Sequence, residues 1–109
     1  MTNSIPNKLL LLKAVENYSL FPKTGRSLLK TLINLAIDNL IITNITELSK
    51  FAKISRPAVY SNLKRLEAKG IIECQKNDGS RISSFVLKPD KFDEIIKHYQ
   101  VRKDIYTTE

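Results

Sequence analysis

One segment constrains the chain more than any other: Ser55-Arg56-Pro57-Ala58-Val59-Tyr60-Ser61-Asn62-Leu63-Lys64-Arg65-Leu66-Glu67-Ala68-Lys69-Gly70. Val59, Leu63 and Leu66 recur at the spacing that places them on one face of a helix. Tyr60, Ser61, Lys64 and Arg65 fall on the other side. Ser55 stands where an N-cap belongs, and Pro57 is tolerated in a first turn, whose N–H groups have no helical partner. Gly70 supplies the left-handed backbone that ends a helix. The segment predicts a helix over 55–69 with an apolar edge for a core and a cationic edge left free.

The rest of the chain must supply that core. At 109 residues and 42% hydrophobic, residues 1–109 read as one globular domain of modest size. The formal charge of +7 admits two readings, a polyanionic partner, most simply nucleic acid, or a merely basic protein. Its distribution is uneven. Residues 55–88 carry 7 Lys+Arg against 3 acids, whereas residues 89–109 carry 4 against 5. Positive charge is densest across the 55–69 helix and the segment that follows it.

Cys74 is the only cysteine, which rules out an internal disulfide and a cysteine-based zinc site within one chain and fits a reducing cytoplasm. A structural thiol is a simpler reading of Cys74 than a redox sensor, because no second cysteine is present to resolve it. Leu9-Leu10-Leu11-Leu12 is too short to span a membrane and is bracketed by Lys8 and Lys13. No small-residue cleavage site follows it, so it reads as part of a buried helix. His98 stands without metal-ligand neighbours. No glycine-rich phosphate loop, nucleophile elbow or paired-carboxylate constellation occurs. The expectation is a protein that is not an enzyme, with no cofactor, no metal and no membrane association.

Periodicity places a helix over about 6–18, a break at Phe21-Pro22-Lys23-Thr24-Gly25, and a central helix over about 26–40. Ile41-Ile42-Thr43 reads as a very short strand. Asn44 and Glu47 form a capping-box-like pair that opens a helix over 45–52, with Ile45, Leu48, Phe51 and Ala52 inward. Lys53-Ile54 turns into the 55–69 helix. Strands at 71–76 and 81–87 flank the turn Asn77-Asp78-Gly79-Ser80 and make a hairpin. Asp90 caps a last helix, lined by Phe92, Ile95, Ile96 and Tyr99, and Ile105-Tyr106 continue it after a break.

The order of these elements over 26–88 resembles the winged helix-turn-helix family of bacterial DNA-binding regulators. The densest likeness runs from Glu47-Leu48 through Ser55-Arg56-Pro57 to Leu63-Lys64-Arg65-Leu66-Glu67-Ala68-Lys69-Gly70-Ile71-Ile72. The run of a leucine, a basic pair, a second leucine and a glycine opening the wing is specific for the fold and not for a subfamily. The resemblance implies a mainly α fold with a small β-hairpin wing, a winged helix-turn-helix with extra N- and C-terminal helices at 5–19 and 90–103. It implies a sequence-specific double-stranded DNA-binding transcription regulator, a repressor, that reads the major groove with helix 55–69 and the backbone or minor groove with wing 76–81.

Carried over residue by residue, Ser55, Arg56, Pro57, Ala58, Tyr60, Ser61, Lys64 and Arg65 would face DNA, and Lys76, Asn77, Ser80 and Arg81 would form the wing contact. Arg56, at the helix start, reads a guanine edge or clamps a phosphate. Ser55 and Ser61 bind phosphate or simply cap and solvate. Tyr60 reaches DNA or packs on the preceding helix. Lys64 and Arg65 are phosphate clamps or a solvated face. The flanking helices carry apolar faces that suit a homodimer, or else fold back on their own domain. No residue set points to a small-molecule effector. Two other functions stay open: a DNA-binding protein of replication initiation or plasmid maintenance, and a protein-interaction module that binds no DNA.

Overall fold

A computed structural model describes residues 8–76 and 82–107. Among them the order is α1 (Lys8–Glu16), α2 (Lys23–Leu35), β1 (Leu40–Ile42), α3 (Ile45–Ala52), α4 (Arg56–Ala68), β2 (Ile72–Lys76), β3 (Ile82–Leu87), a 3₁₀ turn (Pro89–Lys91) and α5 (Phe92–Thr107). The fold is a winged helix: helices around a three-stranded antiparallel sheet in the order β1-β3-β2.

α2 is the central helix, burying Leu28, Leu29, Leu32 and Ile33. It lies earlier in the chain than the 26–40 expected from its apolar periodicity. Pro22 sits just before the first helical residue in extended backbone, so Lys23, Thr24 and Gly25 form the opening turn and break nothing. The helix ends at Leu35 because Ala36 is extended and a tight turn follows. Asp38 and Asn39 take positive φ of 53° and 68°. Ile37 and Leu40 exchange N–H···O bonds of 2.9 and 3.0 Å across them. Two successive positive-φ residues are the signature of the turn that matches strand twist, and Asp and Asn tolerate that backbone. This turn moves the first strand to Leu40–Ile42, one residue earlier than Ile41-Ile42-Thr43.

Ile41 pairs with Phe85, and Phe85 pairs with Cys74 on the other side. Ile41, Phe85, Ile72 and Leu87 are buried and join the sheet to the helices. The pairing of β2 with β3 shifts register between Gln75 and Lys76. The expected turn at 77–80 lies outside the described residues.

α3 occupies the expected 45–52. The Glu47 N–H donates to Asn44 Oδ1 at 2.9 Å, as an N-cap should. The reciprocal half of a capping box is absent, because the Glu47 carboxylate accepts from Thr43 Oγ1 instead, also at 2.9 Å. Leu48 and Ala52 are buried as expected, but Phe51 is 57% exposed. It stands about 60° from Leu48, around the helix on the side away from Ile45 and Ala52. Lys53 then turns the chain with φ 59°, and α4 begins on the Ser55 cap.

At the C-terminal end Asp90 is not a cap. It lies inside the 3₁₀ turn that leads into α5, one residue after Pro89, and Lys88 stands at the start of that turn. α5 then runs without interruption through Ile105 and Tyr106, a stretch that contains neither proline nor glycine to break it. α1 and α5 pack on each other, and α1 packs on α2. Leu11, Ala14, Val15, Phe92 and Ile95 are buried there, with Ile96 and Tyr99 packed against the cluster. The apolar faces credited to a dimer contact are thus used largely within the chain, since burying them there removes apolar surface from water at no loss of a partner. Leu9 and Val101 remain exposed.

Candidate nucleic-acid interface

α4 is set into the fold by Val59, Leu63 and Leu66, all buried. Asn62 is buried with them, at 3% exposure, and belongs to no apolar pattern. Its Nδ2 donates to Thr24 Oγ1 at 3.0 Å and to the Ala58 carbonyl at 2.8 Å. Asn62 therefore docks α4 on the first turn of α2. Gly25 makes room for it, because a Cβ there would stand 2.9 Å from Asn62 Oδ1.

The outward side of α4 faces an open concavity of about 1380 Å³ between α3, α4 and β2. Arg56, Pro57, Tyr60, Ser61 and Lys64 line it from α4, and Thr46 and Lys50 line it from α3. Tyr60 is 54% exposed, so its ring is not packed away on α3. Ser55, Ala58 and Arg65 are not part of this lining. Arg65 is exposed, but it lies roughly half a turn around the helix from Arg56. The Ser55 hydroxyl is occupied in accepting the Ala58 N–H at 3.2 Å, and Ser61 Oγ donates to the Ala58 carbonyl at 3.3 Å. Lys76 ends β2. Its side chain, and all of Asn77, Ser80 and Arg81, lie outside the described residues.

The groove's acids are engaged by the chain itself. Glu47 accepts from Thr43, and Glu67 Oε2 accepts the Cys74 N–H at 3.2 Å. Among the described residues Lys50 and Lys64 make no ion pair, and the pairs that do form are Lys30 with Glu16 and Lys88 with Glu73, away from the groove. The concavity is lined by Lys50, Arg56 and Lys64 against Glu47 and Glu67, a cationic excess with no ion pair between them among the described residues. Arg56 is the first residue of α4, whose first turn contains no acid. A cation at a helix N-terminus opposes the dipole, a cost that an incoming anion would relieve.

Thr46 and Lys50 were not legible as site residues. They stand four apart on the polar side of α3, a spacing that any solvated helix face shares.

Residues 43–73, the segment holding α3, α4 and the start of β2, match a family described as winged helix-turn-helix DNA-binding. The fold, with the matched segment inside it, is a winged helix-turn-helix fold. It is shared with solved structures at low identity. One is a MarR-family transcriptional regulator from Silicibacter pomeroyi, 17% identical, with a TM-score of 0.57 over 93% of this chain and 66% of that one. Another is a possible transcriptional regulator from Methanosarcina mazei, 21% identical, with a TM-score of 0.54 over 86% of this chain and 80% of that one. A third is the YusO protein from Bacillus subtilis, 23% identical, with a TM-score of 0.50 over 94% of this chain and 73% of that one. The chain thus spans just under two thirds of the length of the Silicibacter regulator. No curated protein matches it. Among the described residues no helix is long and apolar enough to cross a membrane.

Proposed function

We propose that this protein is a sequence-specific double-stranded DNA-binding transcription regulator of the cytoplasm. The observation that carries the reading is the groove on α4. A helix anchored by Val59, Leu63 and Leu66 presents Arg56, Tyr60 and Lys64 outward, beside carboxylates that are already engaged. A B-DNA major groove is wide enough to admit one α-helix, and reading it requires donors near the helix start. Arg56 reads a guanine edge, Lys64 holds a phosphate beside it, Arg65 holds one at the far flank of the helix, and Lys76, Asn77, Ser80 and Arg81 of the wing contact the backbone or the minor groove. The Silicibacter protein is a transcriptional regulator and the Methanosarcina one a possible transcriptional regulator, in agreement with this role.

Its proposed mode is repression, in which a bound protein blocks a promoter by occupying it. The regulator acts as a homodimer joined through α1 and α5, where Leu9 and Val101 stay exposed. The test is selection of bound sequences from a random duplex pool with the full chain. A recurrent motif is expected. A pool that shows no enrichment, with no retention of duplex DNA even at low salt, overturns the reading.

A further inference from the structure

Arg56 is an exposed side chain on the first turn of α4, yet it is not loose. Its Nη2 donates to Thr46 Oγ1 at 2.8 Å, a bond across ten residues that joins the first turn of α4 to the first turn of α3. Each of those turns is itself pinned. Asn44 caps α3, with Thr43 holding Glu47 beside it, and Ser55 caps α4. The bond therefore runs between two fixed points, and both residues line the groove.

From this we infer that Thr46 is a positioning residue for base recognition: it holds the Arg56 guanidinium at the groove before DNA arrives. The inference rests on the DNA-binding reading above and adds to it a determinant of specificity on a different helix. A guanidinium has five N–H donors in a rigid planar fork, so one bond to Thr46 restrains where the fork sits and leaves four donors for DNA. Guanine offers N7 and O6 as two acceptors in a line, and two parallel donors in one plane match them. Ordering a free arginine costs side-chain entropy at the moment of binding, and a side chain already held avoids part of that cost. The holder is also neutral. The bond to Thr46 thus leaves the charge of Arg56 in place, where a carboxylate partner would have cancelled it.

The test compares Thr46→Val, which keeps the shape and loses the hydroxyl, with Thr46→Ser, which keeps the hydroxyl. Each is assayed beside the parent by selection from a random duplex pool and by salt titration on non-specific DNA. Thr46→Val is expected to lower discrimination at one base position by about fivefold or more, near the lower end of what one bidentate contact provides. Its salt slope and non-specific affinity stay at the parent's values. Thr46→Ser retains the parent's preference, and in an Arg56→Ala background Thr46→Val has no further effect. A parent that selects a motif which Thr46→Val reproduces unchanged overturns the positioning role while leaving DNA binding in place. Equal loss at every position, with a changed salt slope, overturns it in favour of a merely structural threonine. A parent that binds no duplex DNA removes both readings together.

Discussion

Arg56 stands where a stability-driven sequence would not put a cation. It is the first residue of a 13-residue helix, at the positive end of the dipole, with no acid in that turn. Replacing it with glutamate should remove the unfavourable term and add a favourable one. Arg56→Glu and Arg56→Gln both give up the guanidinium bond to Thr46, so the dipole is read as the difference between them: Arg56→Glu is expected to be the more stable by up to about 1 kcal/mol at low salt while abolishing duplex binding. Thermal melts of both beside a filter-retention assay would check the outcomes, and an Arg56→Glu variant less stable than Arg56→Gln would remove the dipole argument. Lys64 belongs to a different part of the interface. It lines the groove without an ion-pair partner among the described residues, so Lys64→Ala should weaken binding to all sequences alike and make the log–log salt slope shallower by about 0.9, the value for one lost phosphate contact. The same measurement on Arg65→Ala asks whether a phosphate reaches the far flank of the helix. An unchanged slope for Lys64→Ala would take it out of the contact set.

At the scale of elements, the junction of α2 with α4 depends on a polar residue in an apolar face. Gly25 and Asn62 fit together, since a Cβ at 25 would approach Asn62 Oδ1 to 2.9 Å, and Asn62 is held by two hydrogen bonds. Alanine is favoured over glycine within a helix by about 1 kcal/mol, yet Gly25→Ala should destabilise by about 1–3 kcal/mol through overpacking. In an Asn62→Ala background the same change should be neutral or stabilising, a coupling that denaturant melts of the four proteins in the cycle would reveal. Additive effects would show that the junction adjusts freely. That junction also marks where reading the sequence stopped. α3 and α4 were legible because their ends carry local chemistry: Asn44 and Ser55 as caps, Lys53 as a turn and Gly70 with φ 76° as a stop. The end of α2 was not legible, because Leu35, Ala36, Ile37 and Leu40 continue a helical period across a turn whose only sign is Asp38-Asn39. Asn62, Thr46 and Lys50 are polar residues whose roles depend on partners 38 and 10 residues away, or on a groove made by three elements. No window along the chain contains those relations.

Across the whole molecule, the terminal helices close over the core and touch it through an aromatic seam. The Tyr18 ring meets Phe21 edge-on at 4.8 Å and His98 of α5 at 5.1 Å. Burial first, and the Glu94 carboxylate second, raise the Tyr18 phenol above its ordinary value of 10.0. An acid whose pKa is raised by folding holds its proton longer in the folded state than in the unfolded one, so stability is lost as pH climbs past about 10. Tyr18→Phe should flatten that alkaline decline in stability, and a pH series of melts on both proteins would check it. The proposed dimer draws on the same two helices. With Leu11, Ala14, Val15, Phe92 and Ile95 buried inside the chain, the large apolar side chains that α1 and α5 still expose among the described residues are Leu9 at 77% and Val101 at 54%. A two-fold pair would place two α4 helices on one face of the duplex, and successive major grooves on one face recur every 10–10.5 base pairs, roughly 34–36 Å. Selected sequences should therefore be inverted repeats with that centre-to-centre spacing or a multiple of it. Leu9→Asp should shift the protein to monomers in sedimentation, weaken binding to paired half-sites far more than to a single one, and leave the base preferences of a half-site as they were. A motif without internal symmetry, bound by a monomer, would assign both helices to the fold alone.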